Sequence, residues 1–137
     1  YTDVPQAALR GNHSKSRWER IASSSTKQSG RAVVPIIRPP ASFSHHLDES
    51  NGFHILLVEP SADTPEVEKA NLASLKSQPR PSEATITIGP EGGWSRKELT
   101  QAQTSGCHLL TLGSRTLRAD VIPITAVAVL LSIWNEL

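Results

Sequence analysis

The stretch Ala84-Thr85-Ile86-Thr87-Ile88-Gly89-Pro90-Glu91-Gly92-Gly93-Trp94-Ser95 constrains this chain more than any other. Its first five residues alternate small or apolar with polar side chains and are rich in β-branched types, which suits a pleated, partly buried strand. Pro90 has no amide hydrogen for a sheet, so the strand must stop at Gly89-Pro90. The two glycines after Glu91 allow positive φ and a close approach of backbone to a bound group. A helix then starts at once. Ser95 and Glu98 form a Ser-x-x-Glu capping box, and the first amides of that helix point back towards the glycine turn. Strand, glycine turn and helix start can hold a ligand at the carboxyl end of a sheet, where sites in open α/β folds lie. The same residues also make a plain tight turn. A Walker loop is excluded because no Gly-Lys-Ser/Thr follows, and the spacing is not the dinucleotide Gly-x-Gly-x-x-Gly.

The chain has 137 residues, the size of one ordinary domain with a real core. Its net charge of +1 hides an asymmetry, since Arg10, Lys15, Arg17, Arg20, Lys27 and Arg31 face only Glu19 across that segment. Such a run fits either a polyanion contact or a solvated helix face. The single Cys107 rules out an internal disulfide, fits a reducing compartment and reads as a small buried hydrophobe. The most apolar run, residues 121–134, is shorter than the ~20 residues of a membrane span and reads as a core helix. The chain opens on Tyr1 with no charged-then-apolar leader, so residues 1–13 are expected to be a tail or linker remnant of a longer protein.

From Ser14 the spacing predicts a helix with Trp18, Ile21, Ala22 and Ser25 on one face, Arg17, Arg20 and Lys27 on others, and Gly30 as its end. Residues 32–37 read as an edge strand interrupted by Pro35. Ser42 caps a short helix to Leu47, in which His45 and His46 read as surface residues; no Cys or Asp is spaced to complete a metal site, so no metal is assigned. Residues 53–58 form the apolar run of a strand buried on both faces in a parallel sheet. Thr64 caps a helix that begins with Pro65, carries Glu66 and Glu68 in its first turn and runs to about Ser77. Residues 107–112 are a further strand, leading into a second glycine turn, residues 113–118. The last helix begins near Asp120, tolerates Pro123 in its first turn and carries the apolar stripe Ala126, Val129, Leu130, Ile133 and Trp134, of which the last two fit a core or an interface equally. The expected fold is α/β with a mainly parallel sheet flanked by helices. Three strand-end loops, at Glu59-Pro60, at 89–93 and at 113–118, are placed to make one pocket.

Taken together, Leu57-Val58-Glu59, the stretch Ile88 to Ser95 with Glu98, and Leu112-Gly113-Ser114-Arg115-Thr116-Leu117-Arg118-Ala119-Asp120 resemble the ribosomal RNA uridine-N3 methyltransferase family often called RsmE. Arg17 to Ile21 and Lys27-Gln28-Ser29-Gly30-Arg31 with Val34-Pro35 resemble the start of its catalytic domain, and the likeness runs over residues 14–137. The resemblance implies a SPOUT fold, in which the carboxyl end threads a loop to form a trefoil knot. It also implies S-adenosylmethionine as cofactor, a homodimer, small-subunit ribosomal RNA as partner, a cytoplasmic setting, and an amino-terminal RNA-binding barrel that these residues lack. Carried over residue by residue, it places the cofactor against Leu57, Glu59, Gly89, Pro90, Gly92, Gly93, Leu112, Gly113, Leu117 and Arg118. It gives Arg118 an electrostatic catalytic role, with Glu91 as proton acceptor or orienting group, and it turns Arg17, Arg20, Lys27, Gln28 and Arg31 towards RNA. One departure stands out: where the family has Glu-Thr-Ala, this chain has Asp120-Val121-Ile122, so the threonine hydroxyl is missing and Ile122 is bulkier than alanine. Two alternatives therefore stay open. One is a SPOUT enzyme with another acceptor, such as a ribose 2′-hydroxyl; the other is a knotted RNA-binding or dimerisation module without turnover.

Overall fold

A computed structural model describes residues 12–50, 52–62 and 70–136 of the chain. The chain divides into two compact units between Ser42 and Phe43. In the first, α1 spans Asn12–Gln28, starting ahead of the Ser14 that the spacing suggests. Gly30, at φ +68°, closes α1: its amide donates to Lys27 O at 3.3 Å and the Arg31 amide to Thr26 O at 3.1 Å. Lys15 and Glu19 pair one turn apart at 3.7 Å. Trp18 and Ile21 are 45% and 53% exposed, so the apolar stripe of α1 is not a buried face. A helical period tells which residues share a face and not whether anything covers it. The expected strand at 32–37 does not form. Val33 and Ile36 are 78% and 86% exposed, and Pro35 removes a donor from the middle of the run, with Pro39 and Pro40 just beyond it. β-branched composition makes a strand only where another strand pairs with it.

The second unit is built on a three-stranded parallel sheet in the order β2-β1-β3, with β1 Phe53–Leu57, β2 Ala84–Ile88 and β3 His108–Leu110. The expected strands are thus present and parallel, with β3 shorter than the run 107–112. Leu57 is in register with Ile88 on one side and Leu110 on the other, so the three strands end level. That alignment gathers the three following loops at one edge. Ala70 adds a single parallel bridge to Leu110 on the far side of β3, its amide donating to Leu109 O at 2.8 Å.

Helices cover both faces. Side chains alternate along the central strand β1, so Leu56 and Val58 face one layer and Ile55 and Leu57 the other. The first layer is α2 (Phe43–Glu49) and α4 (Arg96–Thr104), packing Leu47, Leu99 and Ala102 with Cys107 and Leu109. The second is α3 (Leu72–Lys76) and α5 (Ile122–Ile133), packing Leu75, Ala126 and Leu130 against Ile55, Leu57 and Leu110. Each fully buried Leu or Ile contributes ~1.5–3 kcal/mol of apolar transfer free energy, and Ile55, Leu56, Leu75, Leu99, Leu110 and Leu130 are all in that state. Cys107 is buried as the sequence suggests, and burial pushes its thiol pKa up.

α3 and α5 also begin elsewhere than expected. Thr64, Pro65, Glu66 and Glu68 lie outside the described residues, but no helix runs from them unbroken to Ser77. Ala70 is bridged to the sheet and Asn71 is extended, capping α3 by accepting from the Ser74 amide at 2.8 Å. α5 starts at Ile122, and no side chain caps it. Asp120 sits beside Arg118 instead, Oδ1 to Nε 3.5 Å. At the end of α5, Trp134 packs against the second core layer, and Arg80 pairs with Glu136.

Candidate functional site

The three loops that leave the level strand ends enclose a pocket of about 60 Å³. β1 contributes Leu57, Val58, Glu59 and Pro60, β2 contributes Ile88, Gly89, Pro90, Gly93 and Trp94, and the segment after β3 contributes Leu112, Arg115, Thr116 and Leu117. Ile122, the first residue of α5, completes the wall. A wider cleft of about 490 Å³ continues outwards, sharing Glu59, Gly89, Pro90, Thr116, Leu117 and Ile122 and adding Glu91, Arg118, Ala119 and Asp120.

Local structure explains why the glycine turn holds its shape. The capping box is in place: the Ser95 amide donates to Glu98 Oε2 at 2.8 Å and the Glu98 amide to Ser95 Oγ at 3.3 Å. Gly89 is where the absence of a side chain matters most. A β-carbon there would stand 2.8 Å from Cε2 and Nε1 of Trp94, whereas Gly92 and Gly93 have nothing within 4 Å of that position. The indole Nε1 donates to Leu57 O at 2.8 Å, and the ring packs on Phe43 at 5.1 Å between centroids.

Behind the turn, on the α2 face, Thr87 Oγ1 lies 2.7 Å from Nε2 of both His46 and His54. His54 is buried, and burial together with the nearby His46 ring holds its pKa below the usual 6.5. His46, expected on the surface, is thus tied into the interior. Its helical neighbour His45 pairs with Glu49 at 3.5 Å.

The segment 111–120 has a different character. Among the described residues, no backbone amide from 112 to 120 donates to a backbone carbonyl, and the ladder resumes with the Val121 amide on Arg118 O at 3.0 Å. A cleft wall whose amides are free of backbone partners among the described residues, with Leu112 and Leu117 beside Arg115, Thr116 and Arg118, suits a polar, partly apolar ligand held by main chain.

Of the residues the sequence singled out, Leu57, Glu59, Gly89, Pro90, Gly93, Leu112 and Leu117 line the pocket, and Arg118 and Glu91 line the cleft. Gly92 and Gly113 line neither. The Arg118 side chain is 86% exposed beside Asp120. Arg17, Arg20, Lys27, Gln28 and Arg31 are all exposed on the first unit. Sequence reasoning overlooked Trp94 and Arg115 as wall residues. The position of Trp94 directly after two glycines was the available signal, but its carbonyl partner is a tertiary fact. Among the described residues, no group of three or more His, Cys, Asp or Glu side chains is placed to hold a metal, and no helix is long and apolar enough to cross a membrane.

A parallel α/β sheet whose strand-end loops converge on one cleft is the architecture of a nucleotide-type ligand site, and the sequence profile described as an RNA methyltransferase domain matches residues 2–135; the chain belongs to that family. The relatives it resembles carry a more particular name. Ribosomal RNA small subunit methyltransferase E of Mesomycoplasma hyopneumoniae is 32% identical over 108 residues, 79% of this chain and 44% of that protein. The protein of the same name from Synechocystis sp. is 32% identical over 114 residues, 82% of this chain and 36% of that one. Among solved structures, ribosomal RNA small subunit methyltransferase E from Neisseria gonorrhoeae bound to S-adenosyl methionine superposes with a TM-score of 0.74 at 29% identity, covering 98% of this chain and 52% of that one. The chain thus spans less than half the length of these curated relatives.

Proposed function

We propose that this chain is the catalytic part of an S-adenosylmethionine-dependent methyltransferase acting on N3 of a uridine in small-subunit ribosomal RNA. The observation that carries the reading is the convergence of three strand-end loops on one cleft, in a chain of the RNA methyltransferase domain family. The pocket and cleft fit such a cofactor: their volumes reach the few-hundred-Å³ range of small-molecule sites. Their walls pair apolar faces, Leu112, Leu117 and Ile122, with amides of 112–120 that have no backbone partner among the described residues. In this reading Leu57, Glu59, Gly89, Pro90, Gly93, Leu112 and Leu117 hold the cofactor directly, with Arg118 at its outer edge. Gly113, at φ +86°, serves the shape of its turn.

S-adenosylmethionine supplies an electrophilic methyl group on a sulfonium sulfur. The chain's part is to hold the acceptor nitrogen in line with that methyl, and positioning of this kind accounts for much of such a rate enhancement. Neutral uracil carries a proton on N3, which must leave as the N–C bond forms. In this reading Glu91 accepts it and Arg118 stabilises the negative charge on the uracil ring, roles that their position on the cleft wall supports. Arg17, Arg20, Lys27, Gln28 and Arg31 contact RNA phosphate. Residues 14–137 act as a SPOUT domain with its carboxyl end knotted, in the cytoplasm, as a homodimer. The apolar side chains of Val121, Ile124 and Val127, exposed by 42%, 74% and 46%, favour a second copy over α5.

The test is calorimetric titration of the chain with S-adenosylmethionine beside a Gly89→Val variant, followed by nucleoside analysis of treated ribosomal RNA. Binding that the variant abolishes, with N3-methyluridine as product, is the expected result. No binding by the parent chain overturns the reading. Ile122, which lines both pocket and cleft, favours one second reading, a cofactor-binding module without turnover. Binding without any methylated nucleoside would select it.

A further inference from the structure

We propose that Trp94 is a positioning residue of this site: its indole clamps the glycine turn after β2 to the carboxyl end of β1 and thereby aims the Leu57 carbonyl into the pocket. The inference rests on the cofactor reading above. Three contacts carry it. Nε1 donates to Leu57 O at 2.8 Å, and Leu57 is the last residue of β1. The indole lies so close over Gly89 that a β-carbon there would come within 2.8 Å of Cε2 and Nε1. Phe43 of α2 then backs the ring, 5.1 Å between centroids and tilted by 33°.

Trp94 therefore touches the origins of two of the three pocket loops and is itself part of the wall. A rigid ring with two side-chain torsions spans that distance at low entropic cost, which a flexible side chain would not. A carbonyl oxygen has two lone pairs, and the indole N–H takes one of them. The other keeps a direction fixed by that hydrogen bond, and a wall group held this way by a neighbour is what a pre-organised site requires. Trp94 thus acts through Leu57 and Gly89 and not on the reacting atoms.

Trp94→Phe keeps a ring against Phe43 and removes only the N–H. In the full 137-residue chain we expect its dissociation constant for S-adenosylmethionine, by calorimetry, to rise about tenfold, the usual scale for one lost hydrogen bond. Amide hydrogen exchange over 89–93 in the ligand-free protein should quicken. Trp18 and Trp134 are the other tryptophans, so the emission change that the ligand causes in the parent should vanish in the variant. A role in stability alone would lower the melting midpoint and leave both affinity and exchange in the turn unchanged. Parental affinity in Trp94→Phe overturns the proposal. If the parent itself does not bind S-adenosylmethionine, the cofactor reading falls; faster exchange over 89–93 in the variant then upholds the clamp, and unchanged exchange overturns it.

Discussion

Gly89 and Gly92 sit three residues apart in one turn and answer to different constraints. A methyl group at Gly89 meets the Trp94 ring at 2.8 Å, while at Gly92 it meets nothing within 4 Å. Gly89→Ala is therefore expected to destabilise the chain by ~1–3 kcal/mol, the cost of overpacking a rigid neighbour. Gly92→Ala should stay within ~0.5 kcal/mol of the parent. Urea unfolding of both variants checks the contrast, which the sequence could not show because both glycines look alike beside Pro90 and Glu91. His54 provides a second test at this scale. Its folded-state pKa lies below 6.5 because burial disfavours the charged ring, so the unfolded chain takes up a proton more readily. Full stability is present above pH 6.5 and is lost as pH falls from there through the folded-state pKa. Melting midpoints should therefore drop between pH 7.5 and 5.5, and His54→Gln should flatten that slope.

α4 was legible to the residue, because a capping box is a local device and Ser95 and Glu98 carry all of it. Ser95→Ala should cost ~1 kcal/mol, read from the urea midpoint, since it leaves the Glu98 amide without its acceptor. β1 was legible for a related reason: an uninterrupted apolar run is the mark of a central parallel strand buried on both sides. Segment 32–37 shows where that logic stops. It has the β-branched residues of a strand, yet pairing belongs to the partner strand, and Pro35 removes a donor from its middle. α3 shows the same limit differently. Thr64-Pro65 lies outside the described residues, while α3 starts only at Leu72, where Asn71 caps it directly after the bridge at Ala70. Local signals rank candidate starts, and tertiary contacts choose among them.

At the scale of the whole chain, charge is divided as the structure is. Residues up to Ser42 carry a net +5 and those from Phe43 onwards −4. On the proposed function, the first unit supplies phosphate contacts to a second unit that would otherwise repel RNA. Four charges at Arg17, Arg20, Lys27 and Arg31 predict that log affinity for RNA falls against log salt with a slope of about −3. Replacing Arg17 and Arg20 with Gln should roughly halve that slope in a filter-binding or anisotropy titration. The position of the site was legible at this scale too, because parallel strands that end level must send their loops to one edge. Its walls were less so. Trp94 and Arg115 became wall residues only once the turns had folded, while Gly92 and Gly113 line neither pocket nor cleft.

The amides of 112–120, which have no backbone partner among the described residues, have a consequence for the protein's life in a cell. Part of this segment's stabilisation is left to be supplied by what it binds. A ligand at a hundredfold over its dissociation constant adds ~2.7 kcal/mol to folding, a large share of the ~5–15 kcal/mol that holds a typical domain together. Scarcity of the ligand would then thin the folded population and expose the chain to proteases, so supply would set how much protein survives as well as how fast it turns over.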